Sequence, residues 1–315
     1  MTKKINFAFF GSSNFSIYCL KEIIKKYIPS LVITLEAKPQ GRGLKLKPNP
    51  VFTFAIENKL PVIELKNWSL IENELFDFGL IASFGKIIPT FIIKNFKKGI
   101  LNIHPSLLPK YRGVNPIREA IINGDKETGV TLFLIDEIID HGPIISQEKI
   151  ILNFKETFLD LEKNLAILGG RLFNNTIENF LSGNINLKIQ DENLATHTRK
   201  TKKEDGLLSV YDPYIIWDRK IRALNPWPGT WLEIFLKDDL KNLKIFKIEK
   251  MNEKDIKINL NKVKIGDFFR EKNEFGLKIS DAYILIKELQ LQDRKRMSSK
   301  EFLNGYKIED MRVNL

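Results

Sequence analysis

Apolar residues fall along the first half of the chain in short runs, at 5–10, 31–35, 62–64, 80–84, 100–103 and 129–136, and the segments 14–27 and 50–58 between them carry apolar positions at helical spacing. Strand, helix and strand at this spacing predict a mainly parallel, doubly wound α/β sheet, in which ligands bind beyond the carboxyl ends of the strands. A longer helical segment is predicted over 156–182. Its apolar positions include Phe158, Leu161, Leu165, Leu168, Leu172, Phe173, Ile177 and Phe180, and it stops at Ser182-Gly183. The chain then turns polar, with TRKTKKED at its centre, so 188–206 reads as a linker between domains at 1–187 and 207–315. In the second domain a helix is expected to start at Asp212-Pro213, followed by the turn-rich Asn225-Pro226-Trp227-Pro228-Gly229. Apolar and charged residues alternate in TWLEIFL, KIFKIEK, IKINL and AYILIKELQL, the pattern of half-buried antiparallel strands in a small sheet or barrel, and Ser298-x-x-Glu301 is a capping box for a last helix.

Composition narrows the setting. The 315 residues are enough for two cores, and 43% hydrophobic with 28% charged residues is ordinary for a folded protein. One cysteine, Cys19, cannot form an internal disulfide, which points to a reducing compartment. The apolar run near the N-terminus is too short for a secretory signal, and no run reaches the roughly eighteen apolar residues of a membrane-spanning helix. A soluble, cytoplasmic protein is therefore expected. The net charge of +11 favours a polyanionic partner, and residues 1–50 hold nine basic against two acidic residues, which concentrates that charge.

The densest block of candidate chemistry is NIHPSLLPKYRG, residues 102–113. Asn102 and His104 lie two apart at the end of a predicted strand and share a face, while Pro105 and Pro109 force an irregular loop after them. Asp140 sits in DEIIDHGPI, where Gly142-Pro143 marks a turn, and spacing alone does not choose between it and Asp136. An amine attacking a carbonyl or formyl carbon needs donors for a developing oxyanion and an acceptor for its proton. Asn, His and Asp supply both without a covalent nucleophile. His141 beside Asp140 suggests a metal ligand, but with three histidines and one cysteine in the chain it reads as a surface residue, and no metal is expected.

NIHPSLLPKYRG followed by NGDKETGVTLFLIDEIIDHGPI resembles the folate-dependent formyltransferases. The resemblance implies that Asn102, His104 and Asp140 form the catalytic triad and that Ser106, Leu107, Leu108 and Pro109 contact the folate donor. Three further segments resemble the branch of that family that formylates methionyl-tRNA. These are FFGSSNFS at 9–16, KPQGRGLKLKPNPV at 38–51 and RALNPWPGTWLEI at 222–234, and together the matches run in order from about residue 9 to 300. They imply a Rossmann-like catalytic domain, a small C-terminal OB-like β-barrel that supports the tRNA, 10-formyltetrahydrofolate as donor and initiator methionyl-tRNA as acceptor. The expected enzyme is a monomer with no membrane attachment. Lys38, Arg42, Lys45 and Lys47, with no acid among them, would grip the acceptor stem. Gly41-Arg42-Gly43 does not complete a dinucleotide fingerprint, so nicotinamide binding is disfavoured. Trp227 and Trp231 are expected in the core. The pattern departs from the family at Ser12-Ser13, Glu36-Ala37, His141 and Pro143. Two other readings are a formyltransferase for a small amine, such as glycinamide ribonucleotide or an amino-sugar nucleotide, and a non-catalytic RNA-binding protein.

Overall fold

The computed structural model describes residues 5–40, 45–252 and 263–314. The chain divides into two compact units, one of Met1–Ile117, Lys126–Asn153 and Leu159–Arg199, the other of Arg118–Asp125, Phe154–Phe158 and Lys200–Leu315. In chain order the first half contains β1 (Phe7–Gly11), α1 (Asn14–Ile23), β2 (Leu31–Leu35), β3 (Lys38–Gln40), β4 (Lys45–Lys47), α2 (Pro50–Glu57), β5 (Val62–Leu65), β6 (Phe78–Ala82), α3 (Thr90–Ile93), β7 (Ile100–His104), β8 (Arg112–Gly113), α4 (Pro116–Asn123), β9 (Glu127–Leu134), β10 (Ile144–Ile151) and α5 (Phe158–Leu181). Seven of these strands form one sheet in the order β10-β9-β7-β6-β1-β2-β5. Pairings from β5 to β7 are parallel, and β9 and β10 are added antiparallel.

Both faces of the parallel core are buried, which is why β1 reads as an unbroken apolar run. Phe7 stacks on Phe78 at 5.1 Å between ring centroids, and both approach Phe173 of α5. On the opposite face Phe10 meets Phe84 and Phe96 edge-on. α5 lies close because two of its residues lack a side chain: a Cβ on Gly169 would stand 2.4 Å from Ile103, and one on Gly170 would stand 2.7 Å from the Cys19 carbonyl. Cys19 is fully buried against Ala166, and burial pushes its thiol well above the ordinary value. Folded protein is therefore expected to resist a thiol reagent at neutral pH and to react with it once denatured. Rapid labelling of the folded chain would contradict this packing.

The second unit holds α6 (Tyr214–Leu224), β12 (Thr230–Leu236), β13 (Asp239–Lys250), β14 (Phe268–Glu271), β15 (Glu274–Lys278), β16 (Tyr283–Leu291), β17 (Met297–Ser298), α7 (Ser299–Gly305) and β18 (Met311–Val313); between the two groups, β11 (His197–Thr198) belongs to the first unit. Its strands make an antiparallel half-barrel in the order β14-β15-β16-β13-β12-β18, with β17 paired to β16. Trp217, Ile221, Phe275, Ile286 and Phe302 fill its core. Trp231 is buried at 8% exposure, but Trp227 is 54% exposed, against the expectation that both are core. Ser298 and Glu301 form the predicted capping box. α6 begins one residue later than the sequence suggests, because its first amide, that of Tyr214, is capped by Asp281 at 2.7 Å.

Along the polar stretch 188–206, Lys188 exchanges backbone hydrogen bonds with Ile144, and β11 pairs with β8. Among the described residues, no helix is long and apolar enough to cross a membrane.

Candidate active site

The three predicted chemical groups meet at the carboxyl end of β7. Asn102 and His104 pair with Phe133 and Thr131 of the antiparallel β9, and the alternation of a strand puts both side chains on one face. The turn after β9 returns Asp140 to that face. Its Oδ2 lies 3.6 Å from His104 Nδ1, and its Oδ1 lies 3.5 Å from the donating Asn102 Nδ2. His104 and Asp140 side chains are only 5% and 11% exposed. The Gly113 amide donates to Asp140 Oδ2 at 2.7 Å, a charge-assisted bond that fixes the carboxylate.

The other imidazole nitrogen settles the tautomer. His104 Nε2 lies 2.9 Å from the Tyr111 carbonyl oxygen, which only accepts, so Nε2 carries a proton. Nδ1 is left facing the Asp140 carboxylate. Asp136, the rival carboxylate, is used elsewhere: it caps Ile138 and pairs with His141 Nδ1 at 2.6 Å. His141 Nε2 is 3.4 Å from Glu192. Among the described residues no group of three ligating side chains could hold a metal ion.

Asp140 sits at φ +54°, an uncommon conformation that Asp and Asn tolerate better than other side chains. The turn also demands glycine two residues on, since a Cβ at Gly142 would stand 1.8 Å from the Leu134 carbonyl oxygen. Gly142→Ala is expected to cost roughly 1–3 kcal/mol of stability by overpacking and to displace Asp140. Thermal unfolding together with turnover would measure both effects, and a variant matching wild type in both would refute this account of the turn.

The SLLP loop is anchored by two residues that the sequence reading did not single out. Thr131 Oγ1 donates to the Ser106 carbonyl at 2.7 Å and accepts from the Leu108 amide at 3.0 Å. Gln147, opposite Thr131 in the β9–β10 ladder, donates to the Leu108 carbonyl at 2.9 Å. Ser106 and Leu108 point inward: the Ser106 hydroxyl donates to the Lys110 carbonyl, and Leu108 packs on Phe133 and Ile144. Leu107 and Pro109 are half-buried and reach the surface. Behind the loop the buried Arg112 grips Glu192 through both carboxylate oxygens at 2.7 and 2.9 Å, and this hydrogen bonding holds the Glu192 carboxyl below its ordinary value.

Of the basic segment, Lys38 and Lys47 are register partners in a β3–β4 hairpin, as are Gln40 and Lys45. Arg42 lies outside the described residues. At the β1–α1 turn, Ser13 and Ser16 form a capping box and the Ser12 hydroxyl donates to the Phe84 carbonyl at 2.6 Å, so the departing serines cap the helix and tie it to the end of β6.

Comparison with known proteins identifies the family of the chain. Residues 3–177 match the formyl transferase family model, and 200–307 match the formyl transferase C-terminal domain. The chain is 35% identical over 314 residues to the methionyl-tRNA formyltransferase of Carboxydothermus hydrogenoformans, covering 95% of this chain and 96% of that one. It is 32% identical over 310 residues to that of Geobacter sulfurreducens, covering 96% and 94%. Among solved structures, an N-formyltransferase from Helicobacter canadensis in complex with folinic acid and dTDP-3-aminofucose superposes with a TM-score of 0.63 at 22% identity, over 91% of this chain and 99% of that one. HypX of Aquifex aeolicus in complex with tetrahydrofolic acid does so at 0.63 and 18%, over 96% of this chain and 48% of the other. With relatives above 30% identity along nearly its whole length and both domain models matched in order, the chain belongs to the formyltransferase family, on the branch of the methionyl-tRNA formyltransferases.

Proposed function

We propose that the chain transfers the formyl group of 10-formyltetrahydrofolate to the amine of initiator methionyl-tRNA in the cytoplasm, releasing tetrahydrofolate. The observation that carries the reading is the convergence of Asn102 and His104 within 3.6 Å of Asp140's two oxygens. The methionyl nitrogen attacks the formyl carbon, a C–N bond forms, and the carbonyl oxygen becomes an oxyanion. Asn102 Nδ2 donates to that oxygen, and His104 adds a second donor from Nδ1 when protonated. The amine proton passes to the His104–Asp140 pair. Collapse of the tetrahedral centre breaks the bond from carbon to folate N10, and N10 takes up the proton, so atoms and charge balance.

Folate would lie along Leu107, Pro109 and the backbone of the SLLP loop, because Ser106 and Leu108 are spent inside it. The half-barrel unit and the hairpin carrying Lys38, Lys45 and Lys47 would hold the tRNA, with Arg42 on the connecting segment. Replacing Lys38, Lys45 and Lys47 together by Gln should raise KM for charged tRNA, flatten its dependence on salt by about three phosphate contacts, and leave kcat and the folate KM near wild type. An unchanged salt slope would remove the hairpin from the tRNA site. Neither rival accounts as well for what is observed. The relatives above 30% identity along nearly the whole chain are methionyl-tRNA formyltransferases, which favours the tRNA over a small amine, and an RNA-binding protein does not require an assembled triad.

A further inference from the structure

Gln190 is buried to 6% exposure in the polar segment after α5, and its amide is used at every position. Nε2 donates to the backbone carbonyls of Asp140 at 2.9 Å and Gly142 at 2.8 Å. Oε1 accepts from Arg112 Nε at 3.1 Å and Nη2 at 2.9 Å. Two donors and two acceptor sites exhaust what a primary amide offers. Arg112, itself 2% exposed, is held from the other side by Glu192.

We propose that Gln190 is a positioning residue for the transfer reaction, clamping the left-handed turn that aims the Asp140 carboxylate at His104. The proposal rests on the catalytic reading of Asp140. Two neighbours in sequence act on that turn by separate routes: the Gly113 amide holds the carboxylate directly, and Arg112 holds the carbonyls of the turn through Gln190. An Asp at φ +54° stays there only while its surroundings over-determine it. Without the amide, two inward carbonyls lose their donor, and the turn relaxes toward water. The carboxylate then leaves its place beside His104, and a displacement of about 1 Å at a reacting group costs on the order of 10²-fold in rate.

The test is steady-state formyl transfer by the full chain carrying Gln190→Glu, alone and combined with Asp140→Asn. The glutamate keeps the size of the side chain and its attraction to Arg112 but presents oxygen where both carbonyls need a donor. Turnover should fall about 10²-fold, with KM for donor and charged tRNA little changed. In the Asp140→Asn background the same change should have almost no further effect, since residues acting as a unit are not additive. The ring-nitrogen NMR shifts of His104 should also move in Gln190→Glu, a readout that a purely structural loss elsewhere would leave alone. Gln190→Ala covers the case in which the glutamate does not fold, and the same loss is expected of it. Near-normal turnover in either folded variant, or a full loss multiplied onto Asp140→Asn, would overturn the clamp. If Asp140→Asn itself keeps wild-type turnover, the fault lies in the active-site reading, not in Gln190.

Discussion

Asn102→Ala lowers kcat for formyl transfer by about 10²–10³-fold, the cost of removing one preorganised donor to a developing oxyanion. The size follows from where the side chain sits. Asn102 is partly buried at the end of β7, and its amide is held only loosely, 3.5 Å from the Asp140 carboxylate. Little structure depends on that amide, so thermal stability and KM for the folate should barely change, and the loss should appear almost wholly in kcat. The steady-state constants of purified Asn102→Ala decide the matter. Turnover within a fewfold of wild type would mean that the oxyanion finds its donors elsewhere.

A loss of similar or greater size, about 10²–10⁴-fold, is expected for Asp140→Asn. The substitution is informative because it changes so little else. Asparagine tolerates the left-handed backbone at φ +54°, and its side-chain oxygen still accepts from the Gly113 amide. What disappears is the negative charge beside His104 Nδ1, and with it the group proposed to take the amine proton. Melting temperature and donor KM should stay near wild type while turnover collapses. A variant that melts early and is inactive for that reason would fail to support the charge as the cause, and one that stays active would contradict it.

The parallel core was legible in the sequence because strands buried on both faces read as continuous apolar runs, as in the FAFF segment of β1. β10 was not, because the interior of IISQEKII is polar and the strand lies at the sheet edge. β18, three residues long, carries too little pattern to be seen. Strand direction is not written in such runs either, so the antiparallel placement of β9 beside β7 emerged only from the pairing. The helix start at Tyr214 shifted because its cap, Asp281, is 67 residues distant. Trp227 and Trp231 share one turn-rich stretch, yet Trp231 falls in β12 and is buried while Trp227, between two prolines, stays exposed.

The site divides along the same line. Asn102 and His104 were legible because their spacing on one strand is local, and Asp140 because a glycine turn marks it. The choice of Asp140 over Asp136 rests on resemblance; in the structure Asp136 is engaged by Ile138 and His141. Thr131, Gln147 and Gln190 carried no signal, since their roles are hydrogen bonds to backbone groups far along the chain. Gln190 in particular lies 50 residues from Asp140, in a segment whose polarity reads as a connection between domains.

The most direct test of the central claim is formyl transfer from labelled 10-formyltetrahydrofolate, with charged initiator tRNA, free methionine and small amine nucleotides offered in parallel and Asp140→Asn as the blank. Label appearing on the methionyl-tRNA alone, and absent in the blank, is the predicted result. Label on a small amine but not on the tRNA would keep the triad and contradict the acceptor, and no label on any acceptor would contradict the enzyme itself.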